Sequence, residues 1–411
     1  MRVTTLLRKL LGIKQIVVEG FGAEAGALVI DVRPSWRLPR CSRCKRTVRG
    51  FYDRRKERWW RHLDFGGVRV LLRYRLRRVK CPCCGIVVEL VPWTEEVSSW
   101  FTRDFEDQVA YCAQRLDKTA VTQVFGVAWR TVGRILERVV RRKRPGAPLD
   151  GLEFIGVDEL SYRKHHHYLT LVTDHAGKRI VWGREGKSAE TLAAFFDELG
   201  EERCKIIRAV TMDMSQAYIK VVRERLPWSQ IIFDRYHVEQ LVRDALDKTR
   251  RQEWQRLRGT VDAKSVKHLR WVLLKNPWNL HDFERQKLST LPKTNARLYR
   301  AYLLKESFMD LLDRRQPNVV AEKLGDWLSW ASRSRFPEFV RVARTIRKHR
   351  EDILAFIRFR LSNGLIEGLN AKARLLTRRA YGFHSANAVL AMIMLCCTKL
   401  RLQPIRKQLA F

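Results

Sequence analysis

Phe154-Ile155-Gly156-Val157-Asp158-Glu159-Leu160 is the stretch on which the reading of the chain turns. An apolar run stops at two adjacent carboxylates and a second strand-like run follows. That is the pattern of a buried strand that delivers an acid to the edge of a sheet. A single acid there is ordinarily a turn residue or a helix cap. Asp158 therefore gains meaning only from partners elsewhere in the chain. Glu159 competes with it, although strand alternation turns Glu159 to the opposite face.

Downstream, His166–Thr173 and Arg179–Trp182 read as two more strands joined by a turn at 174–178. The histidines 165–167 are read as polar decoration, because consecutive strand residues point to alternate faces. Ser188–Leu199 is an amphipathic helix with Ser188 as its N-cap. Ile206–Met214 is a fourth strand that again ends in an acid, Asp213. A helix over Ser215–Leu226 and a fifth strand over Gln230–Asp234 follow. Three antiparallel strands, then helix, strand, helix and strand, is the order of a ribonuclease-H-like core. Its first and fourth strands are parallel neighbours, which would set Asp158 beside Asp213. Asp234 and His237 lie near the same edge. They read either as an N-cap with an incidental histidine or as a pair that orients a base, a strand or a water.

From Tyr236 to about Arg360 the pattern is helical, basic and studded with tryptophan, an all-helical insertion. It ends at Leu361-Ser362-Asn363-Gly364-Leu365-Ile366-Glu367-Gly368-Leu369-Asn370-Ala371-Lys372, which opens a helix with Asn363, Glu367, Asn370 and Arg374 on one face. The tail is read as helical and basic. Upstream, Cys41-Ser42-Arg43-Cys44 and Cys81-Pro82-Cys83-Cys84 bracket strand-like runs within 1–89. Two CxxC turns present the four thiolates that structural zinc requires, from Cys41, Cys44, Cys81 and either Cys84 or Cys83. Cys112, Cys204, Cys396 and Cys397 sit in apolar patterns and read as core. Between cysteines and core, Asp104–Gln114, Lys118–Phe125 and Trp129–Arg142 read as helices, the last two joined by Gly126-Val127-Ala128. That layout fits a helix-turn-helix with Arg130, Thr131 and Arg134 aimed at base edges, or an ordinary helical hairpin with a basic face. A Pro/Gly-rich linker closes it.

Bulk composition agrees with a nucleic-acid partner. The chain has 411 residues with 81 Lys+Arg against 44 Asp+Glu, a net charge of +37 that repels itself unless a polyanion screens it. No apolar stretch is long enough to span a bilayer, so a membrane partner is not expected. Met1–Val18 has no signal-peptide pattern. Nine clustered cysteines point to metal or free thiols in a reducing cytoplasm rather than to disulfides. Three carboxylates from Asp158, Asp213 and Glu367 suit hard divalent cations, Mg²⁺ or Mn²⁺, acting on a phosphodiester.

GVDE at 156–159, TMDM at 211–214, FDRYH at 233–237, SNGLIEGLN and then RRAYGF at 378–383 together resemble the bacterial insertion-sequence transposases of the ISL-three type. The resemblance spans essentially the whole chain. It implies a DDE transposase that binds terminal inverted repeats and cuts and joins double-stranded DNA at the nucleoid of a bacterial cytoplasm. It also implies catalytic roles for Asp158, Asp213 and Glu367, and a homodimer or higher oligomer. The expected division is a zinc-binding, end-binding module at 1–100 and a helix-turn-helix at 101–148. The catalytic core follows at 149–240, interrupted by the insertion at 241–355 and completed by a helical part at 356–411 that carries Glu367. A non-catalytic zinc and helix-turn-helix regulator and a ribonuclease-H-like nuclease are the competing readings.

Overall fold

In the computed structural model, which describes residues 2–144, 149–163, 167–260, 262–359, 361, 364–380, 383 and 385–405, the chain divides into two units. Met1–Pro145 and Leu376–Phe411 form the first, and Gly146–Leu375 the second. The boundary falls in the expected Pro/Gly linker. The tail from Leu376, however, belongs with the first unit, where sequence had grouped it with the core.

The first unit opens with a helix that sequence missed, α1 (Val3–Leu11). The stretch from Met1 to about Glu89 reads as strands from sequence. Tertiary packing decides otherwise: Leu7 and Leu11, one turn apart, are buried against the sheet, and Gly12 closes the helix at a φ of 57°. Five strands follow, β1 (Ile16–Glu24), β2 (Ala27–Pro34), β3 (Phe51–Arg61), β4 (Arg69–Cys81) and β5 (Gly85–Val88). They lie in the order β1-β2-β4-β3, with β5 pairing on β4. Ile30, Trp60, Leu72 and Trp93 fill the core beneath, and a smaller apolar cluster of Val48, Val79 and Val87 surrounds Cys41 and Cys81.

Three helices complete this part, α2 (Arg103–Ala113), α3 (Lys118–Phe125) and α4 (Trp129–Lys143). Thr102 caps α2 and Asp117 caps α3 through their side-chain oxygens. Gly126 ends α3 at a φ of 56°, a conformation that glycine adopts without penalty. On α4 a stripe of Val132, Ile135, Leu136 and Val139 is buried. The chain's last described helix, Ala386–Cys397, packs on α4. It is apolar and largely buried through Val389, Ile393 and Leu395, not the basic helix expected.

The second unit holds β6 (Phe154–Arg163), β7 (His167–Asp174), β8 (Arg179–Glu185), β9 (Ala209–Met212) and β10 (Gln230–Phe233) in the order β10-β9-β6-β7-β8. β6 pairs β7 and β7 pairs β8 antiparallel, whereas β9 runs parallel to both β6 and β10. The first and fourth strands of this sheet are thus parallel neighbours, as expected. β9 is shorter than read: Ile206 is exposed and the strand runs only from Ala209 to Met212. Connecting and covering the sheet are α5 (Ala189–Leu199), α6 (Glu201–Cys204) and α7 (Gln216–Arg225).

Helices then run on without a strand among the described residues: α8 (Arg235–Arg256), α9 (Asp262–His268), α10 (Arg270–Leu274), α11 (Asp282–Thr294), α12 (Ala296–Asp313), α13 (Pro317–Arg333), α14 (Pro337–Lys348) and α15 (Arg350–Phe359). Their apolar residues join those of the sheet in one core. The last of them returns to the sheet, where Ala355 meets Ala209 and Ile232. α16 (Gly364–Arg379) follows, and the Ala386–Cys397 helix is α17.

Candidate active site and metal centre

The parallel register aligns Gly156 with Thr211, so two residues further on Asp158 comes level with Asp213. Asp158 is still within β6, whereas Asp213 is the first residue past β9. Asp234 is likewise the first residue past β10 and caps α8, its Oδ1 accepting from the Tyr236 amide at 3.0 Å. His237 sits in the first turn of α8 with Nε2 3.9 Å from Asp234 Oδ2. The cap and the functional readings of this pair are therefore compatible.

The acids are poorly solvated. Burial first, then the charges of Asp213 and Asp234, push the Asp158 carboxyl up to about 6, against an opposing pull from His237 and from the Glu159 amide. Asp213 is raised by burial and then by the Asp234 charge, against an opposing pull from His237. Glu159 lies on the other side, where burial and the Asp213 charge also raise it and the Tyr218 hydroxyl bonds to it. Tyr218 in turn meets Thr170 Oγ1 at 2.8 Å.

α16 reaches this sheet edge because residue 156 has no side chain. A Cβ built on Gly156 would stand 2.0 Å from Ile366 Cδ1, 2.6 Å from Thr173 Oγ1 and 2.9 Å from Thr211 Oγ1. A glycine inside a β-branched run is the sequence signal for such an approach, and it went unread. One turn beyond Ile366, the buried Asn370 donates through Nδ2 to Asp158 Oδ2. Asp158 Oδ1 accepts from the Glu159 amide at 2.6 Å. Asn370 Oδ1 and Asp213 Oδ1 are both buried without a hydrogen-bond partner among the described residues. A buried carboxylate oxygen left unpaired beside a second buried carboxylate is a donor set that a divalent cation would satisfy.

Glu367 is not part of that pair here. It lies in the first turn of α16 and is exposed. Among the described residues, the acids at this edge form no group of three with ligand atoms all within 4.8 Å of one another. Arg374 is also exposed, and Asn363, expected on the same face, lies outside the described residues. So do His165 and His166; His167 opens β7 as an exposed side chain.

The cysteines behave differently. Cys41, Cys44, Cys81 and Cys84 have sulfurs all within 4.8 Å of one another, with Cys44 and Cys81 at 3.6 Å. Burial opposes ionisation of Cys81, but the amides of Cys83 and Cys84 and the neighbouring thiols bring it down to about 7. Cys83 points away, exposed, and takes the Arg46 guanidinium at 3.4 Å. The fourth sulfur is therefore that of Cys84, and the set fits a closed tetrahedral zinc site. Of the other four, Cys204 and Cys397 are buried and Cys112 and Cys396 half-buried. On α4, Arg130 and Arg134 are exposed and Thr131 is half-buried, its amide bonded to Ala128 O at 2.9 Å.

Comparison with known proteins now bears on this geometry. A family model described as transposase, of the ISL3 type, matches residues 155–393. A second, described as the zinc-finger of transposase IS204/IS1001/IS1096/IS1165, matches residues 37–84 and so contains all four converging cysteines. The transposase for insertion sequence element IS1557 of Mycobacterium tuberculosis is 40% identical over 427 residues, covering 96% of each chain. The transposase for IS1001 of Bordetella parapertussis is 27% identical over 379 residues, 89% of this chain and 92% of that protein. The chain belongs to the ISL3 family of transposases and carries that family's zinc ribbon.

Proposed function

We propose that this transposase binds the terminal inverted repeats of an insertion sequence and cuts and joins the DNA ends at Asp158, Asp213 and Glu367. One observation supports this reading above the others: two poorly solvated aspartates level on parallel strands, one of them bonded to Asn370 from the late helix α16. In it the sheet of the second unit is a ribonuclease-H-like core, α8 to α15 are its helical insertion, and α3 and α4 are a helix-turn-helix. Asp158 and Asp213 would hold a divalent cation, Mg²⁺ or Mn²⁺, with Glu367 as the third acid. When bound, such cations activate the attacking oxygen and stabilise the leaving oxygen of a phosphodiester.

The chain's own groups prepare that site. Asn370 fixes the orientation of the Asp158 carboxylate, so its second oxygen keeps one direction. Glu367, one turn earlier on the same helix, completes the set as α16 settles onto DNA. His237 offsets the negative charge of the pair, and Asp234 holds it beside them. Arg130, Thr131 and Arg134 read bases, and the enzyme works as a homodimer or higher oligomer that pairs two ends. The test incubates the protein with end-bearing duplex and Mg²⁺ and compares Asp158→Asn, Asp213→Asn and Glu367→Gln. All three should bind the duplex normally and neither cut nor join it. Cutting by all three at the parental rate would return the acids to a structural role, whereas normal binding with no cutting by the parent itself would favour the regulator.

A further inference from the structure

The β3–β4 ribbon of the first unit turns a face to solvent that the acidic site does not use. Along β4, alternation buries Val70, Leu72 and Leu76 and leaves Arg69, Leu71, Arg73 and Arg75 on the other side. The antiparallel register sets Arg61 opposite Leu71, Trp59 opposite Arg73 and Glu57 opposite Arg75. Two cavities adjoin this face. One, of about 380 Å³, is lined by Trp59, Arg61, Arg69 and Trp100 together with the Gly126–Ala128 turn and Thr131. The other, of about 390 Å³, is lined by Arg37, Arg54, Arg73 and Arg75 among others, with Glu19, Asp31 and Glu57 also on its wall. Trp59 of the first cavity lies 5.6 Å from the Arg73 guanidinium of the second, so the two adjoin.

Not all of these cations are neutralised within the chain. Arg73 pairs with Glu24 and Asp31, and Arg61 with Asp64. Among the described residues Arg37, Arg54, Arg69 and Arg75 have no ion-pair partner. Unpaired guanidinium groups along one side of a protein of net charge +37 call for an extended anion. The first cavity shares Thr131 and the turn before α4 with the element proposed to enter a DNA groove. That shared turn sets this face beside the element proposed to enter the groove. We infer that the outer face of β3–β4 tracks the phosphates of the duplex that α4 reads, through Arg37, Arg54, Arg69 and Arg75, without reading sequence. This rests on the reading of α4 as the groove-entering helix.

The test measures binding of labelled duplex to the full chain across a salt series, with one duplex carrying the terminal repeat and one scrambled. Arg54→Gln/Arg75→Gln should weaken both duplexes alike and make the slope of log K against log salt shallower by about two. Arg54→Lys/Arg75→Lys should restore the slope. Arg37→Gln/Arg69→Gln, on other positions of the face, should repeat the effect and replaces the first pair if that pair loses its zinc. Arg130→Ala/Arg134→Ala should instead erase the preference for the repeat. If only that last change does nothing, the α4 reading fails while the face stands. Unchanged slope and affinity in both Gln pairs would overturn the face. So would loss of binding to phosphatidylserine vesicles with DNA binding intact.

Discussion

Four cysteines and three acids are both ligand sets by chemistry, but only the cysteines stand together. Each CxxC turn delivers two sulfurs from residues close in sequence, so a single meeting of two turns completes the set. The acids each come from a different element, and the structure brings together Asp158 and Asp213 while Glu367 stays exposed. A structural metal requires a closed shell, whereas a catalytic one keeps positions for water and phosphate. On the proposed function, the contrast is therefore between a site that holds the fold and a site that is completed around its substrate.

The largest effect should come from breaking the assembled set. Structural zinc in small ribbons contributes on the order of 10 kcal/mol to folding. Cys84→Ser should release zinc and lose end binding, measured by metal analysis and duplex binding. Cys83→Ser, whose thiol points away, should retain both. The incomplete set is broken more gently at Asn370. Because that side chain only orients Asp158, Asn370→Ala should lower the cutting rate about 10–100-fold with DNA affinity unchanged.

How these sets looked from sequence follows from the same physics. The cysteine spacing and the two aspartates were legible because each depends on short-range pattern: a tight turn, or an apolar run that meets an acid, although β6 runs on past Asp158 to Arg163. The parallel pairing of β6 and β9 followed from strand order. Helix α1 was missed because Val3-Thr4-Thr5 favours a strand locally and only the burial of Leu7 and Leu11 overrules it. The tail was misread because its basic residues lie outside α17, whose apolar sides are both covered. Glu367 could be proposed but not positioned, since a helix far along the chain reaches β6 only through the gap left by Gly156.

A smaller effect sharpens the contrast from the acidic side. Folded Asp158 holds its proton up to about 6, well above an unfolded aspartate, so it binds protons more tightly when folded. Its contribution to stability is present below about pH 4 and is lost as pH rises through 6. At neutral pH the ionised group therefore costs the metal-free protein at most about 3 kcal/mol. Asp158→Asn should remove that cost and raise the melting temperature of the second unit by a few degrees at pH 7, with no gain at pH 4. A melting temperature lowered at pH 7 would mean that the carboxylate is already compensated.

The most direct test of the central claim, that Asp158 and Asp213 hold the metal that acts on DNA, is a change of ligand softness. Asp213→Cys should be inactive on end-bearing duplex in Mg²⁺ and regain cutting in Mn²⁺, which tolerates a thiolate ligand better. Equal cutting by this variant in both metals, at whatever rate, would contradict metal ligation at this residue.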